Sequence, residues 1–137
     1  MTRIDFYQLD TARHQPEQVV CRLCQKAWEA RQPTLLLTRD AEHSQLLDQR
    51  LWTWSDESFL PHDCDDDAEF ATPILVHDNP DPKGDRHLLI NLSPSVPAWF
   101  AQFERVIELV TEDNRQQARE HYSFYKERGY PLNHVTL

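Results

Sequence analysis

The chain has 137 residues, 39% of them apolar, and a formal net charge of −9 from 23 acidic and 14 basic residues. The length is that of one domain with a buried core, and a mean hydropathy of −0.71 with no run of about 18 apolar residues excludes a transmembrane helix. The acidic balance argues against broad nonspecific binding to nucleic acid, which requires neutralised phosphates. The opening "MTRIDFYQLD" lacks the apolar centre of a signal peptide, so the cytoplasm is the expected compartment.

In chain order, "RIDFYQL" reads as a strand with Ile4, Phe6 and Tyr7 as core residues. Pro16 suits the first turn of a helix, and Val20, Leu23, Cys24, Ala27 and Trp28 recur at helical spacing behind it. "PTLLLT" is a short continuous apolar run, the pattern of a strand buried on both faces. Asp40 can cap a second helix in which Ala41, Leu46, Leu47 and Leu51 continue the pattern. The acidic stretch "DESFLPHDCDDDAEF" reads as a loop, "TPILVHD" and "HLLINLS" as strands, and "NPDPKGD" between them as a turn. "PAWFAQF" is a short helix after Pro97, and "RVIELVT" another β-branched strand. Asp113 is the expected cap of a last helix running to about Arg128, with Gly129 placed to end it. "YPLNHVTL" is a tail or an edge strand, because Pro131 disfavours a central position. The alternation β-α-β-α-β-β-α-β-α implies an α/β sandwich with a mainly parallel sheet, and strand order stays open.

Such a chain invites a nucleotide-binding reading, but the first strand-to-helix connection, "LDTARHQPEQ", has no glycine, and the whole chain has only Gly84 and Gly129. Dinucleotide and phosphate loops need glycine so that the backbone can approach phosphate. Cys21 and Cys24 have CxxC spacing, and Cys64 with His62 would complete a Cys3His set. The pair sits inside an amphipathic helix with no second CxxC, so packing in the core is the favoured reading. The seven histidines form no HExxH pattern and read as surface or helix-cap residues, and no catalytic constellation is assembled.

Two clusters stand out. Arg115, Arg119, Tyr122 and Lys126 fall within an arc of about 60° on a helix turning about 100° per residue. Ala118, His121, Phe124 and Tyr125 lie on the far side, free to pack on the sheet. A cationic stripe with an aromatic can be an ordinary solvated face, or it can grip an acidic peptide, a carboxylate or a nucleic-acid strand. The second cluster is "LWTWSDESFLPHD", where Trp52, Trp54, Phe59 and Leu60 crowd a helix end and its loop. It is either a protein-docking patch or a local core beneath the loop.

The chain resembles the chi subunits of bacterial DNA polymerase III holoenzyme, accessory proteins of the clamp-loader complex. The resemblance spans nearly all of it: "FYQLD", "VCRLCQKAWEARQPTLLLTRD", "LDQRLWTWSDESFLPHD", "LLINLS" and "AREHYSFYKERGYPLN". The strings LWxxxxESFxPH and AREHYxxYxxxGYxLN are its most specific parts. It implies one Rossmann-like three-layer α/β domain over residues 1–137, with no nucleotide site, no cofactor, no metal and no catalysis. It also implies an adaptor at the bacterial replisome. One surface, carried by Trp52 and Phe59 seven residues apart with Leu60, Pro61 and Trp54 as neighbours, would bind the psi subunit, and a repair helicase is a further candidate for it. The other would bind the acidic C-terminal tail of single-stranded DNA-binding protein, which ends in an apolar residue and a free carboxylate. There Arg119 would meet carboxylates, Arg115 and Lys126 would add attraction, and Tyr122 with Val110 would shape the apolar pocket. Ser123 departs from the extra base expected beside that tyrosine; Lys126 and Arg128 follow one turn later. The alternatives are a small α/β nucleotide-binding enzyme, or direct single-stranded DNA binding by the basic helix.

Overall fold

A computed structural model describes residues 1–54, 61–63, 73–78 and 87–137. The strands are β1 (Arg3–Gln8), β2 (Thr34–Leu37), β3 (His62–Asp63), β4 (Ile74–His77), β5 (Leu88–Asn91), β6 (Arg105–Val110) and β7 (Leu132–Thr136). The helices are α1 (Pro16–Glu29), α2 (Ala41–Trp52) and α3 (Arg115–Glu127). Among the described residues seven strands form one sheet in the order β3-β4-β2-β5-β6-β1-β7, and every pairing between them is parallel.

Period-two alternation sorts the strand residues onto two faces. Leu36, Ile74, Val76, Leu88, Ile90, Ile107 and Leu109 meet the buried residues of α1 and α2. Leu35, Leu37, Leu75, Leu89, Val106 and Val110 meet Phe100, Phe103 and Tyr125 on the other face. This is the three-layer α/β sandwich expected from the alternation of elements. Among the described residues no helix is long and apolar enough to cross a membrane.

Several local expectations need correction. The segment after Pro97 forms only a 3-10 turn, Phe100–Gln102, because Phe100 and Phe103 both turn into the core within four residues. His62–Asp63, expected in a loop, forms a two-residue strand paired with Ile74 and Leu75. Asp113 does not cap the last helix. The N-cap of α3 is Asn114, which makes no side-chain cap bond; Thr111 caps the 3-10 turn just before it, through a capping box closed by Asn114, whose Oδ1 accepts from the Thr111 N–H at 2.8 Å. That turn covers Glu112–Asn114. Asp40, by contrast, does cap α2, accepting from the His43 N–H at 2.8 Å. The stretches 55–60, 64–72 and 79–86, with Phe59, Leu60, Cys64 and the "NPDPKGD" turn, lie outside the described residues.

Two helices end in the same left-handed motif. After α3, Gly129 at φ 77° lets its own N–H reach the Lys126 carbonyl and the Tyr130 N–H reach that of Tyr125. After α1, Arg31 takes that position at φ 56°, with matching bonds from Arg31 to Trp28 and from Gln32 to Ala27. A side chain bearing Cβ is strained there and glycine is not. Urea denaturation should therefore find Arg31→Gly more stable than wild type by about 1 kcal/mol and Gly129→Ala less stable by about the same. Gly129 is exposed, and an added Cβ would meet nothing within 4 Å, so the loss there would be conformational, not steric.

Candidate functional site

Helix α3 is fastened to the sheet by polar groups. Glu108 lies on β6 between apolar neighbours and is buried. Its Oε2 accepts from the Tyr125 hydroxyl at 2.7 Å and from Asn91 Nδ2 at 2.9 Å. Its Oε1 meets His121 Nδ1 at 2.9 Å, and His121 Nε2 meets the Pro94 carbonyl at 3.1 Å. Both imidazole nitrogens thus face acceptors, an arrangement satisfied by the imidazolium, which donates from both. Burial pulls the His121 pKa down, but the hydrogen bond and charge of Glu108, with the Pro94 carbonyl, outweigh it and hold the pKa above the ordinary 6.5. His121 is therefore a buried anchor on the sheet side of α3, as its helical position with Tyr125 allowed, which corrects the general reading of the histidines as surface or helix-cap residues.

With the inner face pinned, the outer face of α3 looks onto the end of the sheet. A cavity of about 380 Å3 is lined by Phe6, Gln8, Val110, Arg115, Ala118, Arg119, Tyr122 and His134. Four of the five residues singled out for the acidic-tail site thus converge on one pocket: Val110, Arg115, Arg119 and Tyr122. Lys126 is exposed one turn further on and does not line it. Arg128 is engaged elsewhere, donating to the Phe124 carbonyl with its guanidinium 3.6 Å from that ring's centroid. Tyr122 is 39% exposed and packs edge-on against Phe6 at 5.4 Å, so its ring stands as a fixed wall.

Sequence reading missed Phe6, Gln8 and His134 as pocket residues. They arrive through the parallel register of β1 with β7, which sets Phe6 opposite His134; His134 Nε2 lies 3.2 Å from Gln8 Oε1. Chemically the pocket offers an apolar floor, an aromatic wall and two exposed guanidinium groups, a set suited to an apolar side chain beside carboxylates.

The second cluster divides. Trp52, at the end of α2, is 56% exposed, and its ring meets that of His62 at 5.0 Å. His62 Nε2 lies 2.9 Å from Asp48 Oδ1, one helical turn before Trp52. Trp54 instead donates from Nε1 to Gln25 Oε1 at 2.6 Å and packs on the core beneath α1 and α2. Pro61 is half-buried.

Comparison with known proteins agrees with the resemblance. Residues 1–133 match the family described as DNA polymerase III chi subunit, HolC. The chain belongs to the DNA polymerase III chi subunit family. It is 41% identical to the DNA polymerase III subunit chi of Pseudomonas aeruginosa, over 100% of this chain and 98% of that one. It is 30% identical to the Escherichia coli subunit chi, over 88% and 84% of the two chains, and 28% identical to that of Haemophilus influenzae, over 85% and 84%.

Other chemistry finds less support in the side chains. The crevice beyond the carboxyl ends of β5 and β6, where open α/β sheets usually hold ligands, is lined by Glu17, Glu108 and Asp113 as well as Arg39 and His43; those carboxylates oppose phosphate. Cys21 and Cys24 are buried. Burial raises the Cys21 thiol to about 11 and pushes Cys24 higher still, so both pack as inert apolar groups. Among the described residues no group of three His, Cys, Asp or Glu side chains could hold a metal ion.

The pH response of the anchor follows from linkage. A histidine with a raised folded pKa binds its proton more tightly in the native state, so its contribution is complete below 6.5 and is lost as pH rises through the folded value. Urea denaturation from about pH 5.5 to about pH 9 should show the stability gap between wild type and His121→Gln shrinking with rising pH. Removing the other partner, in Glu108→Ala, leaves a buried imidazolium unpaired and should cost about 3 kcal/mol.

Proposed function

We propose that this chi-family chain is a non-catalytic adaptor. Through the psi subunit it joins the clamp loader to the acidic C-terminal tail of single-stranded DNA-binding protein during replication. The observation that carries the reading is the pocket beside α3. Its two exposed arginines suit the acidic residues and terminal carboxylate of the tail, and the cleft among Val110, Phe6 and Tyr122 suits the terminal apolar side chain. An interface of a few residues is small, so each contact is weak and screened by salt. Many tails along a coated strand raise the effective concentration and restore overall affinity.

The psi surface, on this reading, centres on Trp52 at the opposite end of the sheet order, with Phe59, Leu60, Pro61 and Trp54 nearby in sequence. Trp52 is large, exposed and supported from below by the His62 ring, as an anchor residue needs to be. Distance from α3 lets both partners bind at once.

A synthetic Asp-rich peptide ending in phenylalanine should bind at low salt and weaken as salt rises. Arg119→Ala should weaken it about tenfold or more, because a hydrogen bond to a charged group is worth about 1.5–3 kcal/mol. No binding at low salt would return α3 to an ordinary solvated face. Tight binding of single-stranded DNA without any partner protein would favour the direct DNA-binding alternative, and a nucleotide-dependent thermal shift would favour an enzyme. Trp52→Ala should lower affinity for a psi subunit about 30-fold, a loss of about 2 kcal/mol, while leaving peptide binding unchanged.

A further inference from the structure

The pocket beside α3 has a counterpart on the other face of the same two strands. Along β1 and β7, Phe6, Gln8 and His134 face the α3 pocket. The alternate residues Tyr7, Val135 and Leu137 line a separate cavity of about 400 Å3 under α1. Val135 sits opposite Tyr7 in the parallel register, and Leu137 extends the ladder by donating to the Gln8 carbonyl at 3.0 Å. Helix α1 supplies the opposite wall with Arg22, Leu23, Lys26 and Ala27, one helical stripe, and Arg105 enters from β6.

The composition of this second cavity departs from that of the chain. Acids outnumber bases 23 to 14 in the sequence, yet among the described residues the cavity lining contains Arg22, Lys26 and Arg105 and no acidic side chain. Arg105 is held rigidly: its Nε donates to Asp5 Oδ2 at 2.6 Å and its Nη2 to the Tyr7 hydroxyl at 2.6 Å. Arg22 and Lys26 make no ion pair with any described residue. Val135 and Leu137 are 37% and 44% exposed at the rim. An apolar floor, a tyrosine and two uncommitted cations thus repeat the chemistry of the α3 pocket at a similar volume.

We infer that the cavity between α1 and β7 is a second docking site for an acidic peptide segment carrying an apolar side chain. The identity of the ligand class rests on the reading of the first pocket; the site itself rests on its own lining. The sheet separates the two cavities, so each takes its own segment, and a partner that displays several acidic tails could engage both faces of this edge together, with the gain in affinity that two linked contacts bring.

Isothermal titration with the Asp-rich, phenylalanine-ended peptide tests this on the whole chain. The expected result is two peptides per wild-type chain, one for Arg119→Ala and one for the double variant Arg22→Glu, Lys26→Glu, with unchanged melting temperatures in both. A single equivalent in wild type, lost in Arg119→Ala and unaffected by the α1 variant, would overturn the second site and leave the first intact. Binding lost only in the α1 variant would overturn the assignment of α3 and spare the second site. Two other results would overturn the inference: a dimer in sedimentation that the α1 variant dissolves, or single-stranded DNA held by Arg22 and Lys26 in place of peptide.

Discussion

The buried carboxylate of Glu108 is the constraint on which the arrangement of this protein depends. A charge on a central strand is costly unless its oxygens are satisfied, and here Tyr125, Asn91 and His121 supply the partners. Two of them come from α3, so satisfying the carboxylate fixes that helix in both rotation and height over the sheet. The outer face is then determined: a helix whose His121 and Tyr125 point inward must present Arg115, Arg119 and Tyr122 along its other side. Hydrophobic packing alone would hold α3 less specifically, because only His121 and Tyr125 of its residues are buried.

On the adaptor reading proposed above, function needs no catalytic group. On that reading the sheet acts as a spacer whose edge region presents basic, apolar clefts at β1 and β7, while the far end presents Trp52. Acidic character elsewhere is part of the same design: with a net charge of −9, the few basic clefts are the places where an acidic partner meets attraction and not repulsion.

Much of the fold was legible in the residues. "PTLLLT" read as a strand buried on both faces because it is a continuous apolar run, "HLLINLS" read as a further strand, and the helical spacing of Val20, Cys24 and Ala27 places α1 on one face. What escaped was either too short or too distant to leave a pattern. A two-residue strand at His62 has no periodicity, and the Thr111 capping box starts a 3-10 turn ahead of α3, which places Asp113 inside that turn and not at the head of the helix. In the candidate site, the helical stripe could be drawn from spacing alone. Phe6, Gln8 and His134 could not, since they join it through pairing between the two ends of the chain. The buried polar anchor was hidden for the same reason: Glu108 and His121 are unremarkable in their own segments and acquire meaning only against each other.

The most direct test of the central claim is an amide chemical-shift map of the isotope-labelled chain during addition of the acidic, phenylalanine-ended peptide. The account predicts that shifts grow along Phe6, Val110, Arg115 to Tyr122 and His134, around the face that the Glu108 anchor sets in place. A map in which peptide binds while α3 and its neighbours on β1 and β6 stay unmoved would contradict it.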